Sequence, residues 1–109
     1  MRKRIHTDLW EILIPTMMIS RHGFHTNPSA VQETHHRDWD RQVAKITKGL
    51  TLLPRVRGKW EDSLEHSIPV RIACTADEMK QVADITMEHY NQDAVIYWRV
   101  SDSVIIVER

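Results

Sequence analysis

Residues 68–90, IPVRIACTADEMKQVADITMEHY, carry the clearest secondary-structure signal in the chain. Thr75 and Glu78 have the spacing of a capping box, in which the side chain of each residue accepts a hydrogen bond from the other residue's backbone amide. Residues suited to a core then recur at helical spacing, which is typical of a helix with one buried side. These residues are Met79, Val82, Ala83, Thr86 and Tyr90. We therefore predict a helix that begins after Thr75 and stops near Asn91.

Three segments have the pattern of β-strands. Residues 68–75 alternate apolar and other side chains, with the two-residue period of a strand. Residues 8–18, DLWEILIPTMM, form a short apolar run typical of a central strand. Residues 52–60 alternate as well, and Pro54 among them cannot donate to a ladder. This pattern predicts an edge strand.

A first helix is predicted from about Ala30 to Lys48. Ser29 and Gln32 form a possible capping box, and Gly49 is a natural terminator. An apolar stripe recurs at +4 and +7 and predicts the buried side of this helix. The stripe consists of Trp39, Val43 and Ile46.

At the C-terminal end, AVIYWRV and VIIVE flank the polar tripeptide SDS at residues 101–103. That arrangement predicts a strand, a tight turn and a short extra strand. The resulting order is β-α-β-β-α-β with a terminal strand, which is the ferredoxin-like pattern of an α+β sandwich. We expect a single domain over residues 1–109, with an antiparallel sheet and both helices on one face.

Composition limits the possible partners. The chain has 109 residues, with 15 Lys plus Arg and 15 Asp plus Glu, so its formal net charge is zero. A balanced charge argues against nucleic acid or an anionic membrane as the partner. Asp8 and Glu11 interrupt the apolar N-terminal segment, which argues against a membrane span. The lone cysteine, Cys74, suits a reducing compartment, and we predict a cytoplasmic protein in which this thiol is buried.

The open sheet face is the first candidate site. If Trp10, Ile12 and Ile14 face the helices, the strand period places Glu11 and a set of largely basic residues on the opposite side. The set contains Arg55, Arg57, Lys59, Arg71, Tyr97 and Arg99. Arginine forks match carboxylate and phosphate geometry, so these six are the predicted ligand-binding residues. The leading hypothesis is a non-enzymatic homodimer that binds an anionic small molecule or an acidic protein partner on this face.

A histidine-rich segment is the second candidate. His22 and His25 precede the first helix, and His35 and His36 lie in its first half. One alternative is a small dimeric enzyme of the isomerase or oxygenase type, with His25, His35 and His36 as catalytic residues in a pocket. A further alternative is a histidine metal site, although no recognised metal-binding spacing is present. The third is a structural role for the imidazoles. We assign no metal ligand and no cofactor.

Short motifs in the C-terminal two thirds match a known family. They are Gly49, Thr51, Gly58 and Trp60, followed by Tyr90, Gln92, Asp93, Ala94 and Val95. Over residues 39 to 107 the chain thereby resembles an uncharacterised bacterial family of small ferredoxin-like domains, in which G-x-T, G-x-W and Q-x-x-V motifs recur. The resemblance implies the same α+β sandwich and no particular activity. Some members are exported, whereas this sequence has no recognisable export signal.

Overall fold

The computed structural model describes residues 3–19, 28–47 and 67–108. In chain order the elements are β1 (Lys3–Pro15), β2 (Met17–Ile19), β3 (Pro28–Ala30), α1 (Glu33–Ile46), β4 (Ser67–Cys74), α2 (Ala76–His89) and β5 (Tyr97–Glu108). Three of the strands form an antiparallel sheet in the order β4-β1-β5, while β2 and β3 pair with each other. The described residues therefore have an α+β architecture with a three-stranded sheet and two helices.

Strand β1 is the centre of the sheet. Its residue Ile12 lies opposite Val70 of β4 on one side and Tyr97 of β5 on the other. Ile12 and Ile14 are buried, as are Val70 and Ile72 of β4 on the same face. Residues opposite each other on antiparallel strands point to the same side. The prediction that the even-numbered residues of β1 face the core is therefore confirmed.

The two helices pack on each other and on this face of the sheet. Trp39 of α1 is fully buried, and its Nε1 donates a hydrogen bond of 2.9 Å to Oγ1 of Thr86 in α2. The α2 capping box is present, because Glu78 N donates to Thr75 Oγ1 and Thr75 N donates to Glu78 Oε1. The core thus joins one stripe of each helix to the inner face of β1 and β4.

The start of α1 differs from its prediction. The helix begins at Glu33 with Gln32 as N-cap, and no side chain caps it. Ser29 belongs to β3, where it lies opposite Met18 of β2. The predicted capping box is therefore wrong, since the residues before Gln32 pair as a strand and cannot also form the first helical turn.

The C-terminal segment also corrects a prediction. Residues 101–103 do not form a turn between two strands; they lie within the single long strand β5. The register between β5 and β1 shifts between Thr7 and Leu9 and again between Leu9 and Trp10, so β5 contains extra residues at this point. A bulge accommodates such residues while the strand continues. Within residues 97–108 the structure has one strand and no separate extra strand.

Other boundaries also moved. The predicted strand 8–18 ends at Pro15 in the structure, and Met17–Ile19 forms the separate strand β2. The strand predicted at residues 52–60 lies outside the described residues.

Beyond the stretch of β1 that pairs with β4, residues Lys3–Thr7 pair with β5 only, so the two strands continue as a ribbon. No helix in the described ranges is both long and apolar enough to cross a membrane.

Replacing Ile12 tests the central position of β1. Ile12→Ala removes a fully buried side chain, and we expect a loss of about 2–5 kcal/mol in the free energy of unfolding because a cavity remains in the core. Ile96→Ala, at an exposed position, is the control and should cost about 0.5 kcal/mol or less. Urea denaturation followed by circular dichroism measures both; equal effects would contradict this account of the core.

Candidate functional site

His35 of α1 and His89 of α2 connect the two helices through reciprocal hydrogen bonds. Nε2 of His35 donates a 2.8 Å hydrogen bond to the backbone carbonyl of His89, and Nε2 of His89 donates a 2.7 Å bond to the carbonyl of His35. The rings stack with centroids 3.9 Å apart and planes 18° from parallel. The carbonyl of His89 lies at the end of α2, where backbone carbonyls lack partners within the helix. The His35 ring therefore caps α2 from the neighbouring helix.

Further polar contacts surround this pair. Nδ1 of His36 and the hydroxyl of Tyr90 share a buried hydrogen bond of 2.7 Å. The side-chain amide of Gln42 donates to Nδ1 of His89 at 3.1 Å. We call these five residues, His35, His36, Gln42, His89 and Tyr90, the histidine clasp. At least one ring nitrogen of each histidine bonds to a group contributed by the other helical segment, an arrangement that holds α1 against α2.

The catalytic candidates are thus only partly brought together. His35 and His36 lie in the clasp, whereas His25 lies outside the described residues. Within the described ranges, no group of three or more His, Cys, Asp or Glu side chains is placed to hold a metal ion. The arrangement of His35 and His36 favours the structural role among the alternatives.

An ion pair between Arg71 and Glu11 lies on the outer sheet face. Nε of Arg71 lies 3.1 Å from Oε1 of Glu11, and the Glu11 side chain is only 14% exposed. Glu11 lies opposite Arg71 on one side and Trp98 on the other. Arg71 and Glu11 point outward as predicted. Because the carboxylate neutralises the arginine, this part of the face has little net positive charge.

Two of the predicted ligand-binding residues point to the other side. Tyr97 lies opposite Ile12 and packs against the core, with its ring 6.0 Å from that of Trp10. Arg99 lies opposite Trp10, hence also on the helix side. Their predicted outward orientation is wrong, because both alternating sets in residues 95–100 contain apolar side chains and only the register with β1 decides between them. The other candidates, Arg55, Arg57 and Lys59, fall outside the described residues.

The exposed apolar side chains are concentrated on β5. Among the described residues, five large hydrophobic side chains are exposed, by 38–59% of their surface. They are Ile96, Trp98, Val100, Ile105 and Val107. All lie in β5 or immediately before it, and we call them the apolar edge. In the described sheet β5 pairs with β1 alone, so the backbone groups on its other side are open to another strand.

Two pockets lie near the start of β5. One has a volume of about 140 Å³ and is bordered by Leu13, Thr86 and Ile96 among others. The other, of about 390 Å³, runs between α2 and β5 past Lys80, Asp84 and Tyr97. No histidine lines either pocket. The clasp and these pockets are therefore separate features.

Comparison with known proteins gives no family assignment. No family model matches the chain, and neither a curated protein nor a solved structure matches it. The resemblance over residues 39 to 107 stays a prediction.

The sequence offered only partial signals for these features. Tyr97 and Arg99 were predicted on the wrong side because the apolar run around Trp98 has no clear period. The partners of His35 and His36 are 54 residues away along the chain, so local spacing could not reveal them. A histidine and a tyrosine at the end of α2 were visible, and polar rings there are suited to a helix terminus.

The clasp can be tested at Tyr90. Tyr90→Phe removes the hydroxyl bonded to His36 Nδ1 in a fully buried position, and we expect a loss of about 1–3 kcal/mol in unfolding free energy. Tyr97→Phe is the matched control, since Tyr97 is only partly buried, and should have a smaller effect. Chemical denaturation compares them. A Tyr90→Phe protein as stable as the control would show that the hydroxyl contributes nothing.

Cys74 supplies a second test of the core. Burial raises the pKa of its thiol to about 12, with further contributions from the nearby carboxylates of Glu78 and Asp8. At pH 8 only about one thiol in ten thousand would be ionised, so iodoacetamide should modify the folded protein very slowly. Unfolding the protein in urea should restore a normal rate of thiol modification. A Ser103→Cys variant carries an exposed thiol and is the positive control; rapid loss of the native thiol in folded protein would contradict its burial.

Proposed function

We propose that this protein is a non-catalytic interaction module that forms a homodimer through the apolar edge of β5. The supporting observation is that the exposed large hydrophobic residues of the described chain all fall in one segment, Ile96–Val107. Proteins normally protect a sheet edge with charged residues, and a long apolar edge is a site at which another strand pairs. If β5 is an interaction surface, the concentration of exposed hydrophobic side chains in this segment is explained.

The proposed complete fold is a ferredoxin-like sandwich. In that fold a hairpin joins the second strand to the third, and here the third strand of the pattern is β4. The strand predicted at residues 52–60 would therefore pair with the side of β4 that faces away from β1. Such an arrangement would extend the sheet away from β5 and would leave the apolar edge open.

The chemistry of the surface favours a protein partner over a small anion. Arg71 is already paired with Glu11, and Trp98 on the same face is apolar and partly exposed. Binding of an anionic ligand or an acidic partner depends on Arg55, Arg57 and Lys59, and it stays a prediction. The enzyme alternative is less well supported, since His35 Nε2 and His36 Nδ1 bond to protein groups.

Charge placed in the apolar edge should dissociate the dimer. We expect Val100→Lys and Ile105→Lys each to weaken self-association at least tenfold, or about 1.4 kcal/mol, because lysine on an edge strand opposes strand pairing. Sedimentation velocity over a concentration series measures the dimer constant, and circular dichroism checks that each variant folds.

The control is Gln81→Lys, which adds the same charge at an exposed position of α2 and should leave the dimer unchanged. A wild-type protein that is monomeric throughout the series would overturn the proposed function. A dimer that tolerates both edge lysines would place the interface elsewhere.

A further inference from the structure

We infer that the groove between α2 and β5 binds a flat aromatic anion, such as an aromatic carboxylate or sulfonate. The groove has a volume of about 390 Å³, which falls within the usual range of small-molecule sites. It lies on the helix side of β5, whereas the anion site predicted from the sequence was on the outer face of the sheet. The inference goes beyond the proposed function and does not depend on whether the protein forms a dimer.

Most of the side chains that line the groove are apolar, and one of them is aromatic. Ala83 and Met87 line it on α2, and Val95 and Tyr97 line it at the start of β5. Aromatic rings pack well against a tyrosine ring, and a methionine sulfur makes favourable contacts with their edges. A flat ring placed between the helix and the strand would therefore bury its apolar surface.

A neighbouring aromatic ring supports Tyr97. The rings of Trp10 and Tyr97 meet edge to face, with centroids 6.0 Å apart and planes 60° apart. Nε1 of Trp10 in turn donates a 3.0 Å hydrogen bond to the backbone carbonyl of Cys74. Because these contacts already restrict Tyr97, a ligand that packs on it has less side-chain motion to arrest, and such pre-organisation favours binding.

The charged side chains at the groove favour an anion. Lys80 lines the groove, and Arg99 lies two positions after Tyr97 on the same side of β5. Both are exposed, so each can turn towards a bound molecule. Asp84 also lines the groove, and two cations against this one carboxylate leave a net positive charge. An arginine fork or a lysine ammonium suits a carboxylate or a similar anionic group.

Two fluorescent compounds can test both parts of this inference. Anilinonaphthalene sulfonate is an aromatic anion, and N-phenylnaphthylamine has the same rings without the sulfonate. We expect the anion to bind saturably to the folded protein, with a dissociation constant several-fold below that of the neutral compound. Fluorescence titration measures both constants. Equal affinities, or tighter binding of the neutral compound, would overturn the inference.

Charge variants then locate the anion. Lys80→Glu and Arg99→Glu should each weaken binding of the anion about fivefold, as expected for reversal of an exposed charge, and should leave the neutral compound unaffected. Asp84→Asn should tighten binding of the anion, because it removes the opposing carboxylate. Lys45→Glu makes the same charge reversal at an exposed position in the last turn of α1 and is the matched control.

Ala94→Phe tests the position of the rings. Ala94 lines the groove and is exposed, so a larger side chain there should occupy the groove without entering the core and should weaken binding of both compounds. Circular dichroism checks that each variant folds. Anion binding that falls equally in Lys45→Glu, or that neither Lys80→Glu nor Arg99→Glu changes, would show that the compound binds elsewhere and would overturn the inference. The charge variants keep this test decisive even if Ala94→Phe does not fold.

Discussion

The pairing of β1 on both of its edges is the constraint on which the rest of the structure depends. Residues Asp8–Pro15 contact β4 on one side, and most of the strand contacts β5 on the other. Because the backbone of β1 is paired on both sides, the alternation of its side chains decides which face of the sheet is buried. Ile12 and Ile14 point to the helices, and Glu11 points away. A shift by one residue would exchange the core and the outer face.

The sequence predicts those features of the fold that depend on residues close together in the chain. The capping box of α2 involves residues three positions apart, and the side-chain alternation of β1 is visible within the strand itself. The start of α1 was not predictable in the same way. Ser29 and Gln32 have the correct spacing for a cap, but Pro28–Ala30 pairs with β2 and that competing interaction prevents it. Tertiary pairing overrode a weak local preference.

The C-terminal strand and the histidine residues also depend on contacts between distant parts of the chain. SDS has the composition of a turn, yet a long strand with a bulge forms there because β1 offers it a partner about ninety residues away in sequence. Which side of β5 faces the core depends on this register, so the orientation of Tyr97, Trp98 and Arg99 could not be read locally. His35 and His36 are neighbours in the sequence, but their partners at the end of α2 come into range only when the helices pack.

The distribution of apolar residues separates the stability of the fold from its interactions. The core residues of α1, α2, β1 and β4 are buried against one another, and the histidine clasp supplies polar contacts between the helices. The exposed residues of β5 contribute little to that core. Exposed isoleucine, valine and tryptophan on an edge strand increase the risk of uncontrolled association. A specific, two-fold partner offsets that risk at β5, because each β5 strand then has a neighbour on both of its sides. Closure of this kind is the physical reason to expect a defined dimer in preference to an open-ended assembly.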